Sequence, residues 1–84
     1  MTFSYKTRGT CSQMIDIELD GKTVKEVKFY GGCMGNLTGI SSLVKGMDID
    51  AVINKLSGIR CGFKPTSCPD QLAKALSEIR DKNL

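Results

Sequence analysis

The apolar spacing of this chain changes period once, and the change falls at Tyr30-Gly31-Gly32-Cys33-Met34-Gly35-Asn36. Before that point apolar residues alternate. Phe3 and Tyr5 alternate with polar neighbours and predict a short first strand. In Gln13–Leu19, Ile15, Ile17 and Leu19 face one way while Asp16 and Glu18 face the other, the pattern of a half-buried strand. Asp20-Gly21 predicts a tight hairpin, because glycine takes positive φ without steric cost. Thr23–Tyr30 then returns as a strand with Val27 and Phe29 on its core face.

After the glycine turn the period is helical. Leu37, Ile40, Leu43 and Val44 share a helix face, with Asn36 as the candidate N-cap and Gly46 as the stop. Asp48 is placed to cap a second helix carrying Ile49, Val52, Ile53 and Leu56, with Gly58 beyond it. Residues 59–67 form a loop containing Pro65. Pro69 suits the first turn of a third helix, whose apolar face is Leu72, Ala75, Leu76 and Ile79. Asp70–Lys74 and Glu78–Lys82 are i,i+4 pairs expected on its exposed side. Strands precede helices, so the expected class is α+β: a three-stranded antiparallel sheet followed by three helices. A length of 84 residues argues for a single domain over 1–84. Such a domain buries only ~60–65% of the surface its unfolded chain exposes, so a metal, a disulfide or a partner would support it.

The charge balance excludes some functions. A net charge of +3, from 12 basic and 9 acidic residues, is too mild to argue for nucleic acid. The aromatic residues Phe3, Tyr5, Phe29, Tyr30 and Phe63 form no base-stacking set. No apolar segment approaches the length of a membrane span, and the first ten residues do not resemble a secretory signal. The expected location is therefore a reducing cytoplasm, where an even cysteine count points to metal binding or redox chemistry before structural disulfides. Histidine is absent, which removes the commonest catalytic base and nitrogen ligand. Gly31-Gly32-Cys33-Met34-Gly35-Asn36 is neither a dinucleotide fingerprint nor a phosphate loop.

Cys11, Cys33, Cys61 and Cys68 are spaced C-x21-C-x27-C-x6-C, without the CxxC knuckle of a zinc ribbon. Their placement says more than their spacing. Cys11 precedes the Gln13–Leu19 strand, Cys33 lies in the strand-to-helix turn, Cys61 lies in the 59–67 loop, and Cys68 stands at the cap of the third helix. None is expected on an apolar face, and thiols at element ends can converge at one end of a domain. Cys33 and Cys68 adjoin helix N-termini, whose free N–H groups and partial positive charge favour the thiolate. The glycines beside Cys33 let backbone N–H groups approach its sulfur. The expected site is one metal centre held by Cys11, Cys33, Cys61 and Cys68, either zinc or an iron–sulfur cluster. Redox-active thiols and inert buried thiols are the alternatives.

Thr66-Ser67-Cys68-Pro69-Asp70 spells TSCPD, and the chain resembles the family named for that string. Through Gly31–Ile40 (GGCMGNLTGI) and Gly58–Gly62 (GIRCG) it resembles the stand-alone, four-cysteine members. The family also occurs as a C-terminal domain of adenosylcobalamin-dependent ribonucleotide reductases. The resemblance implies a metal-binding or accessory module with a ribonucleotide reductase as partner, and not a complete enzyme. A more distant resemblance is to iron–sulfur scaffold proteins of the NifU/IscU type, which run strands then helices in the same order. It rests on Cys11, Cys33 and Cys68 and on the segment Gly32–Gly46. It implies a NifU/IscU-like fold and, as an alternative role, cluster assembly or carriage. Gln13 stands where the scaffold has an aspartate and Ser67 where it has a histidine, while Cys61 is an addition able to replace the lost ligand. A metal-free thiol–disulfide reductant is the third functional expectation.

Overall fold

Ile15, Ile17 and Leu19 are all buried along one face of a nine-residue strand, as their alternation predicts. That strand, β2 (Ser12–Asp20), is the centre of a three-stranded antiparallel sheet ordered β1-β2-β3, with β1 at Thr2–Lys6 and β3 at Thr23–Gly31. The computed structural model describes residues 1–10, 12–32 and 34–83. Three helices follow the sheet: α1 (Met34–Val44), α2 (Ile49–Leu56) and α3 (Cys68–Asn83). The α+β order of strands and then helices is the one the change of period predicts.

Strict alternation breaks twice, and both breaks matter. Glu18 pairs with Glu26 but Leu19 pairs with Val24, which leaves Lys25 as the extra residue of a bulge. The bulge turns Val24 onto the face of Val27 and Phe29, and Val24 is fully buried. In β2, Ser12 pairs with Gly31 and Met14 with Tyr30, so Gln13 is the extra residue. Ser12, three positions from Ile15, is thereby buried as well.

The helices close over the sheet. Leu72, Ala75, Leu76 and Ile79 of α3 join Ile49, Val52 and Ile53 of α2 and the inner residues of β2 and β3 in one apolar cluster. Each fully buried leucine or isoleucine there contributes roughly 1.5–3 kcal/mol. Asp48 caps α2 as its position predicts, accepting from the Asp50 N–H at 2.9 Å. Backbone bonds from Gly46 to Val24, Val24 to Met47 and Ile49 to Lys22, each 2.8 Å, tie the α1–α2 connection to the start of β3. Gly46 stops α1 with φ +87°.

α1 departs from expectation at two places. It begins at Met34, so Asn36 lies inside the first turn and is not the cap. Leu43, expected on the core face with Leu37 and Val44, is 77% exposed. A helix of this pitch can turn only a limited arc toward β3, and Leu37 and Val44 occupy it. Among the described residues, no helix is long and apolar enough to cross a membrane.

Candidate metal centre

α3 starts at Ser67. Its hydroxyl accepts from the Asp70 N–H at 3.2 Å, and its carbonyl accepts from the Gln71 N–H at 2.8 Å. Ser67 is therefore the N-cap and Cys68 the first helical residue, one place beyond the cap expected of Cys68. The same hydroxyl donates to the Ile59 carbonyl at 2.7 Å and so fastens the 59–67 loop to the helix. Pro69 follows in the first turn, where its missing N–H leaves no helical bond unmade.

Asp70 pairs with Lys74 at 3.2 Å, but not on an exposed face: Asp70 is only 4% exposed. Its carboxylate accepts from the Gly58 N–H at 2.7 Å and from the Thr66 hydroxyl. Burial pushes its pKa up, but the Thr66 hydroxyl, the Gly58 amide and the Lys74 ammonium outweigh burial and hold it below the ordinary carboxylate value. The end of α2, the loop and α3 are thus joined at one buried carboxylate.

Gln71 extends this web toward the first cysteine. Its Nε2 donates to Thr66 Oγ1 at 3.1 Å, and its Oε1 accepts from the Arg8 N–H at 3.1 Å. Gly9 lies against Thr66 with φ +73°, and a Cβ there would stand 3.2 Å from Thr66 Cγ2. The strand-to-helix turn uses glycine in the same way, since Gly31 and Gly32 both have φ +80°.

Cys68 is buried and packs in the apolar cluster, contrary to the expectation that no cysteine lies on an apolar face. Its thiol donates to Ser12 Oγ at 3.1 Å, and Ser12 Oγ is 3.1 Å from Thr10 Oγ1. Cys61 is exposed in a turn closed by its own N–H donating to the Thr66 carbonyl at 3.2 Å and by the Lys64 N–H donating to the Cys61 carbonyl at 3.0 Å.

Cys61 and Cys68 border one cleft of about 450 Å³. Gly35, Gly39, Ile40 and Leu43 of α1 form its opposite wall, and Thr10 and Lys64 stand at its sides. Thr10 immediately precedes Cys11, and Gly35 is the second residue after Cys33. Cys11 and Cys33 lie outside the described residues, so the structure brings Cys61 and Cys68 of the expected ligands to a common cleft. Among the described residues, no group of three or more histidine, cysteine, aspartate or glutamate side chains is placed to hold a metal ion. The described thiols are soft donors of the kind that zinc and iron–sulfur clusters take.

Ser12, Gly9 and Gln71 carry no motif in the sequence, and Thr66 stands there only as the first residue of the TSCPD string. Ser67-x-x-Asp70 carries a capping signal ahead of the third helix, whereas the bulge that turns Ser12 inward has no local signature.

No curated protein and no solved structure matches the chain. Residues 2–80 match the TSCPD domain, the family whose five named residues form the capped, carboxylate-locked start of α3 described above. The chain belongs to the TSCPD domain family.

Proposed function

We propose that Cys11, Cys33, Cys61 and Cys68 hold one metal centre, zinc or an iron–sulfur cluster, in a small accessory module that docks on a ribonucleotide reductase. The observation that carries the reading is the cleft. Cys61 and Cys68 reach it from a loop and a helix start, and Thr10 and Gly35, from the segments bearing Cys11 and Cys33, border it too. The reductase as partner rests on the family resemblance. When bound, the metal supplies a crosslink among segments distant in sequence, which suits a thin core. The chain's own residues hold the donors: Ser67 and Asp70 fix the helix start bearing Cys68, and Gln71 and Thr66 brace Arg8 and Gly9 ahead of Cys11.

The test is metal and sulfide analysis of anaerobically purified protein, with an absorption spectrum of the same sample. One zinc per chain and no colour supports a docking module with a structural site. Iron with inorganic sulfide turns the reading toward cluster storage or transfer. No metal with four titrating thiols sinks the shared centre and leaves thiol–disulfide chemistry or packing.

A further inference from the structure

The cleft has features that holding a metal does not use. Gly35 and Gly39 lie one turn apart on α1, and an added Cβ at either meets nothing within 4 Å. Glycine weakens a helix, and among the described residues no neighbouring side chain or backbone requires it here. Leu43, one turn further along the same face, is largely exposed. Cys61 and Lys64 of the 59–67 loop line the cleft, and in the same loop Phe63 is fully exposed and Ile59 is exposed as well. This loop carries Arg60 and Lys64, and neither has an ion-pair partner among the described residues. No carboxylate lines the cleft. The first turns of α1 and α3, which carry partial positive charge, both border it.

We infer that this cleft receives an acidic segment of a partner protein, anchored by a large apolar side chain against Gly35 and Gly39. The inference names the partner chemistry of the docking role proposed above and rests on that role, but not on the metal. A small anion would leave Leu43 uncovered. An isologous second copy would bring a second such cleft, which has no lining carboxylate to meet Lys64. A bilayer is flat, whereas this site is concave with a floor open to close backbone approach. The apolar floor supplies affinity, and Lys64 in the cleft wall, with Arg60 in the same loop, selects acidic flanks and speeds encounter.

The probe is a phage-displayed random-peptide library, panned against the intact chain purified without oxygen, with metal content measured on the same sample. The expected result is enrichment of peptides that place aspartate or glutamate beside leucine, phenylalanine or tryptophan. Gly39→Leu fills the floor and should weaken these peptides at least about tenfold. Gly39→Ala serves as the second filling variant should leucine disturb the helix, which circular dichroism reports. The double change Arg60→Glu and Lys64→Glu should weaken them similarly, and peptides with their acids changed to lysine should then recover binding. No enrichment, enrichment of basic or uncharged peptides, or full binding to Gly39→Leu overturns the inference. Binding of the chain to phosphatidylserine vesicles with no acidic peptide enriched overturns it in favour of a membrane surface. Zinc without acidic peptides sinks this inference alone, whereas acidic peptides on metal-free chain sink the metal reading alone.

Discussion

α1 and α3 both start beside a cysteine, yet they are built for different ends. α3 has Asp70 in its first turn and Arg80 and Lys82 in its last, which complements the helix dipole; α1 has neither an acidic first turn nor a basic last one. The N-terminus of α3 is locked by Ser67, Thr66 and Asp70, and its inner face is fully buried. α1 buries Leu37 and Val44 against β3 and leaves Gly35, Gly39 and Leu43 open. The buried face of α3 belongs to the apolar core that it shares with α2 and the strands. The free face of α1 makes few contacts with the rest of the fold, which Leu43 and the open glycines show.

The comparison breaks most readily at Asp70. Asp70→Ala removes the acceptor of the Gly58 amide and the Thr66 hydroxyl together, and it should cost about 2–4 kcal/mol in urea unfolding. A loss below about 0.5 kcal/mol, the range of ordinary surface changes, would show that the α3 start is no more tightly held than α1.

The same residue sets a pH dependence. The folded-state pKa of Asp70 is depressed from its ordinary value of 3.8, so its contribution is present above that value and fades as pH falls through the folded one. Asp70→Asn should therefore flatten the fall in stability below about pH 4, relative to the wild-type chain. Equal acid profiles for the two proteins would contradict the assignment. Asp50, paired with Arg80 at 2.8 Å and with Lys22 at 3.4 Å, is shifted the same way, but its site is solvent-screened and contributes less.

Gly9→Ala comes next. It places a side chain at φ +73° and drives its Cβ to 3.2 Å from the Thr66 methyl, so it should cost about 1–2 kcal/mol. Chemical shifts at Arg8 and Gln71 should move with it, because the Arg8 N–H bond to Gln71 is made next door.

How much of this was legible in the sequence depends on whether each feature is local. The strands, the Asp20-Gly21 hairpin, the Asp48 cap and the faces of α2 and α3 follow from spacing alone, and the structure has them. Asn36 and Leu43 did not follow, because the start and rotation of α1 are set by its contact with β3. Val24 and Ser12 were hidden by bulges, which shift the alternation without leaving a signature residue. The acidic end of Asp70–Lys74 looked like a surface charge because its main partners, Gly58 and Thr66, come from outside the helix. Of the candidate ligands, Cys61 and Cys68 border one cleft, and Cys11 and Cys33 lie outside the described residues. The burial of Cys68 was not legible, since its partner Ser12 is turned inward by a bulge.

The smallest expected effect has the opposite sign and sharpens the comparison most. Gly39→Ala is the same chemical change as Gly9→Ala, made at a helical position where the new methyl meets nothing within 4 Å. With no contact to lose and helix propensity to gain, it should stabilise the chain by about 0.5–1 kcal/mol. A stability gain there, beside a loss at Gly9, would establish that one glycine serves the fold and the other does not. A loss at Gly39 would mean that α1 packs more closely than its open face indicates. The glycine would then be part of the architecture, and the α1–α3 contrast would lose its basis.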